Sequence, residues 1–289
     1  MSPVIQASHA GAIPSDSDAD DLRKRVAEQA AARERRRRRW GLLLPFIPLA
    51  VFASVWQVYA VQANSFVLPT FTEFAGALGE LVVDPQFWTA LFVSNQALIV
   101  GYLLAVAIGV PAGLAMGRAA RIRNIVDPYI NLILIVPMAV LLPVILIALG
   151  INFNSRVVVI LVFSLPFIVV PCLSGVRVIS WHIVDMSRTF GATESQLWRF
   201  VLIPGALPAI LSGLRQGLAH ALTGMVVVEL TLMAVGVGQL LQTYGSNLQY
   251  DYVFAIVFAI IVESVIGVSI LRALERRAER GRRAMVPVG

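Results

Sequence analysis

The feature that most constrains this chain is a succession of apolar stretches, each roughly 20 residues long and separated by short connectors, alternate ones rich in arginine. A stretch of that length crosses the hydrocarbon of a bilayer as a helix, because in lipid only a helix or a closed barrel satisfies its own backbone. The stretches run from about Leu42 to Val61, Leu91 to Met116, Ile130 to Leu149, Val157 to Val176, Ala209 to Val235 and Val253 to Leu271. Pro137 and Pro143 interrupt the third, and Pro166 and Pro171 lie inside the fourth. The pattern predicts an all-α polytopic membrane protein with about six transmembrane helices. Composition agrees: 58% of the 289 residues are hydrophobic and 14% charged, an apolar excess that a soluble domain of this size could not bury.

Charge sets the expected orientation. Arg33 to Arg39 precede the first span; Arg118, Arg121 and Arg123 separate the second and third. Arg177, Arg188 and Arg199 separate the fourth and fifth, and Arg272, Arg276, Arg277, Arg280, Arg282 and Arg283 follow the sixth. The opposite connectors carry Glu73, Glu80 and Asp84, then Arg156 alone, then Asp251. Six crossings with both termini in the cytoplasm satisfy the positive-inside rule. The net charge of +6 therefore reads as membrane orientation, and no nucleic-acid partner is expected. The run Arg35 to Arg39 is expected at the lipid headgroups.

Three regions follow. Residues 1–39 read as a cytoplasmic N-terminal extension, basic and partly disordered. Residues 40–277 form the transmembrane domain, with a cytoplasmic loop at about 177–207, and 278–289 form a cytoplasmic tail. The first apolar stretch begins about forty residues in with no clear cleavage site after it, so a retained helix is expected. Cys172, the only cysteine, reads as a small buried hydrophobe, and no cluster has metal-ligand spacing.

The loop from about Arg177 to Leu207 stands apart. Trp181, Val184, Leu197, Trp198 and Val201 are apolar among polar neighbours, and Gly191 sits mid-loop, where a helix would end or a turn would take positive φ. Pro204 and Pro208 are expected to break the chain before the fifth span. The pattern predicts a short helix, a glycine turn and a second short helix along the membrane surface. An interfacial connector without a partner and a docking element both fit it.

The residues Asp185-Met186-Ser187-Arg188-Thr189-Phe190-Gly191, followed by Val201-Leu202-Ile203-Pro204, resemble the loop motif of permease subunits of bacterial ABC importers. That motif reads Glu-Ala-Ala, three residues, Gly, nine residues, then Ile-x-Leu-Pro. The spacing matches throughout; Asp185, Met186 and Ser187 replace Glu-Ala-Ala, Val201 replaces Ile and Ile203 replaces Leu. Over residues 65 to 277 the chain is similar to the sulfonate, taurine and nitrate class. The likeness rests on Leu68-Pro69, Gly109-Val110-Pro111-Ala112-Gly113, Asp127-Pro128, Val136-Pro137-Met138-Ala139, Leu142-Pro143, Gly213-Leu214-Arg215, Glu229-Leu230 and Gly236-Val237-Gly238-Gln239-Leu240. Val140 stands where those relatives have Trp.

The resemblance implies a type I ABC importer permease fold in the bacterial inner membrane. It implies a permease homodimer in the lipid bilayer, two ABC ATPase subunits beneath it and a soluble substrate-binding protein outside. Asp185, Met186, Ser187, Arg188, Gly191, Ala192, Val201, Ile203 and Pro204 would form the ATPase-coupling loop. Gly191 would make the turn, Ala192 would allow close approach, and Asp185 and Arg188 would make polar contacts or cap the helix. The solute would be a small organic or inorganic anion such as a sulfonate, taurine or nitrate, with a neutral or cationic organic precursor as the alternative. The chain has no P-loop, so ATP and Mg belong to the partner ATPase and no cofactor is expected on this chain.

Ionisable groups in the spans are costly in lipid and mark pathways, gates or interhelical bonds. Glu229 and His220 lie in the fifth span and Glu263 in the sixth. Nine residues separate His220 from Glu229, which places them on opposite sides of a straight helix. For each of the three, pathway lining or gating and an interhelical hydrogen bond both remain open. A membrane-embedded enzyme would need two of them to converge. Gly224, Gly236 and Gly238 are expected to allow close packing or a turn.

Overall fold

The computed structural model describes residues 46–63, 65–119, 137–232 and 235–285, with 125 and 128, and side chains as far as Arg276. The extension 1–39, Leu42, Arg121, Arg123, Asp127 and Ile130 to Val136 lie outside the described residues. The described residues form helices and connecting turns, with no strand. They fall into two units, 1–64 and 65–289.

The first unit contributes α1 (Phe46–Ala63), apolar on every side, with the Phe52 and Trp56 rings edge to face at 5.9 Å. The second begins with α2 (Phe71–Val83) and α3 (Pro85–Arg118). A 3-10 turn at Met138–Leu141 leads into α4 (Leu142–Leu149), followed by α5 (Phe153–Arg177). Next come α6 (Trp181–Thr189), α7 (Glu194–Leu197), a π turn at Trp198–Leu202 and α8 (Ile203–Leu232). The chain closes with α9 (Gly236–Ser246) and α10 (Tyr250–Met285). Four stretches are long and apolar enough to cross a membrane: Pro85–Arg118, Phe153–Arg177, Glu194–Leu232 and Tyr250–Arg276. Ile47–Ala63 and Met138–Leu149 are shorter apolar helices, and the remainder of the first and third expected spans lies outside the described residues.

The core is α5 held between α3 and α8. Helices in lipid gain little from hydrophobicity against one another, so they associate through close backbone approach. The sequence of α3 supplies that approach with Gly101, Gly109, Gly113 and Gly117. A Cβ on these would lie 2.8 Å from Ile160 Cβ, 3.0 Å from Ile168 Cγ2, 2.6 Å from Cys172 Cβ and 2.7 Å from Val176 Cβ respectively. Each glycine meets the residue 59 positions later, so α3 and α5 run parallel in one unbroken register. Between them, at the same offset, Ala105 and Ser164 are both fully buried. On the other flank α8 runs antiparallel: Gly213 faces the Ile168 carbonyl, and Gly224 faces the Phe163 side chain at 3.0 Å. Tyr102 Oη donates to the Leu214 carbonyl at 2.8 Å and ties α3 to α8 directly.

Three local expectations change. Pro204 and Pro208 do not break the chain: Glu194–Leu232 is one continuous helical stretch. The π turn just ahead of Pro204 widens the ladder where the ring would otherwise meet the preceding carbonyl, so the proline is absorbed near a helix start. Val235 is not the end of the fifth span; it is the extended N-cap of α9, an element the hydropathy pattern does not separate from its surroundings. Arg156 is not a connector residue. It lies in the first turn of α5 and is 7% exposed.

Candidate functional site

The expected loop forms a compact module. Ala192 N–H donates to the Ser187 carbonyl at 3.1 Å and Gly191 N–H to the Arg188 carbonyl at 2.9 Å, closing α6 in a Schellman turn. That turn needs a left-handed residue, and Gly191 has φ +81°. Thr193 then starts α7 with a capping box: its hydroxyl accepts from Gln196 N–H while Gln196 Oε1 accepts from Thr193 N–H at 2.8 Å. Arg188 donates to Glu194 across the turn, and Arg118 at the end of α3 approaches the same carboxylate at 3.7 Å.

The module has two unlike sides. Leu197 and Leu202, each 1% exposed, enter the core among Ile168, Cys172, Val176 and Ala206, with Val184, Trp198 and Val201 packed beside them. On the other side Phe190 is 82% exposed, and Met186, Ile183 and Trp181 are also exposed. A Cβ at Gly191 would meet nothing within 4 Å. Asp185, Arg188, Ile203 and Pro204 are exposed, and Ser187 and Ala192 are partly so. The carbonyl of Asp185 accepts from Thr189 Oγ1 at 3.0 Å.

At the opposite end of the bundle is a buried polar cluster. Glu229, 1% exposed on α8, accepts from Ser94 Oγ of α3 at 2.7 Å and from Gly238 N–H of α9 at 3.3 Å. Arg156 Nη1 of α5 lies 3.4 Å from Glu229 Oε1 and donates to the Val93 carbonyl at 3.4 Å. Val237 N–H donates back to Ser94 Oγ at 3.0 Å. Four helices thus meet on one carboxylate. Gly236 has φ +66°, and a Cβ there would strike Ser94 Oγ and the Glu229 carboxylate. A Cβ at Gly238 would lie 2.5 Å from the backbone of Glu229. These glycines make a turn and a close approach, as Gly224 does against Phe163.

Next to Ser94, Asn95 donates to Glu263 Oε1 of α10 at 2.6 Å, while Glu263 Oε2 is buried with no partner among the described residues. His220 stacks on Phe167 of α5, ring centroids 3.3 Å apart and 9° from parallel. The three candidate groups therefore occupy three separate environments. His220 and Glu229 both contact α5, at Phe167 and at Arg156 respectively, and each of the three groups has its own partner among the described residues. Arg215, on α8, pairs with Glu275 of α10 at 2.8 Å, at the same end as the α6–α7 module.

Sequence reasoning missed Ser94, Asn95 and Arg156. The signal available was the polar triplet Ser94-Asn95-Gln96 inside the second apolar stretch, since adjacent polar side chains in a span need partners. Glu194 was also missed; an acid at the first helical position after Thr193 marks a capped helix start.

The family described as "Binding-protein-dependent transport system inner membrane component" matches residues 105–280. The taurine transport system permease protein TauC of Escherichia coli strain K12 is 32% identical over 238 residues, covering 79% of this chain and 86% of the relative. The putative aliphatic sulfonates transport permease protein SsuC of Bacillus subtilis strain 168 is 28% identical over 279 residues, covering 95% and 96%. Among solved structures, a chain of the inward-facing MetNI methionine ABC transporter superposes with TM-score 0.56 at 22% identity, covering 68% of this chain and 95% of that one, a likeness of fold.

Proposed function

The chain belongs to the binding-protein-dependent transport system inner membrane components and is a multi-pass permease subunit of an ABC importer; on that premise we propose that its α6–α7 module docks the ATPase and that its solute is a small anion such as a sulfonate, taurine or nitrate. The observation that carries the docking role is the two-sidedness of the module. Leu197 and Leu202 fasten it to α5 and α8, while Phe190 and Met186 present apolar surface away from the core. A partner that seats on the exposed side and moves would push directly on the roots of two spans. Gly191 lies open at the turn, where bulk would meet the partner.

In this reading Asp185, Met186, Ser187, Arg188, Gly191 and Ala192 face or shape the docking surface. Val201, Ile203 and Pro204 connect it to α8. ATP and Mg sit on the ATPase subunits, and this chain holds no cofactor. Two copies of the permease form the pathway, a soluble binding protein delivers the solute, and both termini are cytoplasmic. ATP binding favours one packing of the bundle and hydrolysis the other. The anion assignment draws on the two relatives named for taurine and aliphatic sulfonates. Glu229 does not oppose it, because Arg156 pairs the carboxylate and burial encloses it.

The test is reconstitution of the complex with its ATPase and binding protein in proteoliposomes. Uptake of labelled taurine, methanesulfonate or nitrate driven by internal ATP is expected; ATP-dependent uptake of only neutral or cationic solutes overturns the anion assignment. Gly191→Asp should remove substrate-stimulated ATP hydrolysis while the permease still inserts. Normal coupled hydrolysis in that variant overturns the docking role.

A further inference from the structure

We infer that Glu229 is a positioning residue for solute passage: with Arg156 and Ser94 it fastens α9 to the outer ends of α3, α5 and α8, so that these four segments shift as one body, and it does so without touching solute. The inference rests on the permease reading and adds a device at the end of the bundle remote from the α6–α7 module.

Consider first what α9 would do alone. It is an eleven-residue helix joined to α8 through a short connector and to α10 through Leu248, which itself has φ +61°. Its first turn offers free N–H groups that need acceptors. Two of them are engaged by distant side chains, Val237 N–H by Ser94 Oγ and Gly238 N–H by Glu229 Oε2. Negative charge at a helix N-terminus is favourable, so Glu229 supplies α9 with its counter-charge. Its carboxylate cannot serve α9 unless α8 stays in place, and Ser94 cannot bridge the two unless α3 does. Glycine at 236 and 238 removes the side chains that would hold the helices apart.

Arg156 closes the arrangement. Its guanidinium pairs with Glu229 Oε1 and bonds the Val93 carbonyl, one residue before Ser94. The α3 backbone and the α8 carboxylate are therefore held by one cation from α5. Buried ion pairs contribute little net stability against an apolar replacement, but losing one partner strands the other. What such a pair supplies is a single permitted arrangement. A cavity of about 490 Å³ lies between α3 and α9, lined by Gln86, Thr89, Val93, Gly236, Gln239 and Thr243. Val93 and Gly236 belong to the fastening itself, so the width of this opening depends on Glu229.

The experiment uses the reconstituted complex, with uptake normalised to the amount of folded complex measured by size exclusion. Wild-type uptake establishes the permease reading independently. Glu229→Gln and Arg156→Gln should each lower the maximal uptake rate about tenfold with an unchanged KM for loaded binding protein. The double variant, an amide pair without stranded charge, should recover to within about threefold of wild type. If both single variants transport normally per folded complex, or the double is no better than the worse single, the inference is overturned. A second measurement does not depend on the folding of those variants. In a Cys172→Ala background, Thr89→Cys and Gln239→Cys are joined by a short bifunctional maleimide. Uptake should persist, because α3 and α9 already shift together; abolition of uptake by the link overturns the proposal.

Discussion

The two ends of this bundle hold their helices by opposite means. At one end the α6–α7 module keeps its turn and capping hydrogen bonds local, from Ser187 to Ala192 and from Thr193 to Gln196, and leaves Phe190 and Met186 exposed. At the other, Glu229 draws donors from residues 73 and 135 positions earlier and is itself buried. A module with local bonds keeps its shape when a partner arrives, so its outer face is free for recognition. A cluster built from distant segments recognises nothing outside and fixes where those segments lie. Their glycines make the same distinction. Gly191 is needed for its backbone angle in open space, whereas Gly238 is needed because Glu229 already occupies the space a side chain would take.

Substitutions at those glycines are the strongest way to break the comparison. Gly238→Ala should destabilise the permease by about 3 kcal/mol, because overpacking against backbone has no flexible neighbour to yield. The loss should appear as a lowered thermal midpoint in detergent, and an unchanged midpoint would show that α9 can retreat. Gly191→Ala, with space but the wrong angle, should cost about 1 kcal/mol in the same assay. Gly191→Asn sharpens this: asparagine tolerates the left-handed region, so stability should stay near wild type while substrate-stimulated hydrolysis falls. Normal stimulation in the asparagine variant would mean that no partner approaches the turn.

Smaller effects test the charges. Glu194→Gln removes an exposed partner of Arg188 and Arg118 and should change stability by less than about 1 kcal/mol, with any loss shrinking further in high salt. The smallest effect belongs to α2, where the Thr70 N–H and hydroxyl hold the Glu73 carboxyl below its usual range. A carboxyl depressed in the fold contributes stability that is complete above its unfolded value near 4.5 and is lost as pH falls through the folded value. Amide exchange over residues 70–83, corrected for intrinsic rate, should therefore accelerate in acid for wild type. In Glu73→Gln it should be faster at neutral pH and insensitive to that fall.

Much of this architecture is legible in the residues because lipid simplifies the problem. Any segment that crosses must be apolar for a helix length, so the spans around Leu91, Val157, Ala209 and Val253 announce themselves. Gly191 and the polar–apolar alternation around it likewise announce a helix, a turn and a second helix. Arg156 was less legible, since a charge at the edge of an apolar run looks like a connector until the carboxylate that shelters it is known. That carboxylate lies 73 residues away, and no local pattern links the two. Pro204 and Pro208 misled for a related reason: a π turn bounded by the core residues Leu197 and Leu202 stands just ahead of Pro204, and Pro208 lies inside α8 without ending it. The helix α9 was hidden because Gly236 and Gly238, poor helix formers by themselves, are placed by what they must fit beneath.

The register between α3 and α5 has a consequence for what variants of this protein can exist. Four glycines meet four partners at one constant offset of 59 residues. Inserting one residue within 101–117 would turn every later glycine about 100° away from its partner and bring a bulky neighbour into the seam. The same residue gained or lost in a loop would pass unnoticed. Along this seam the chain tolerates exchange of letters far more readily than any change in their number, and an alignment of descendants should close up without gaps wherever α3 touches α5.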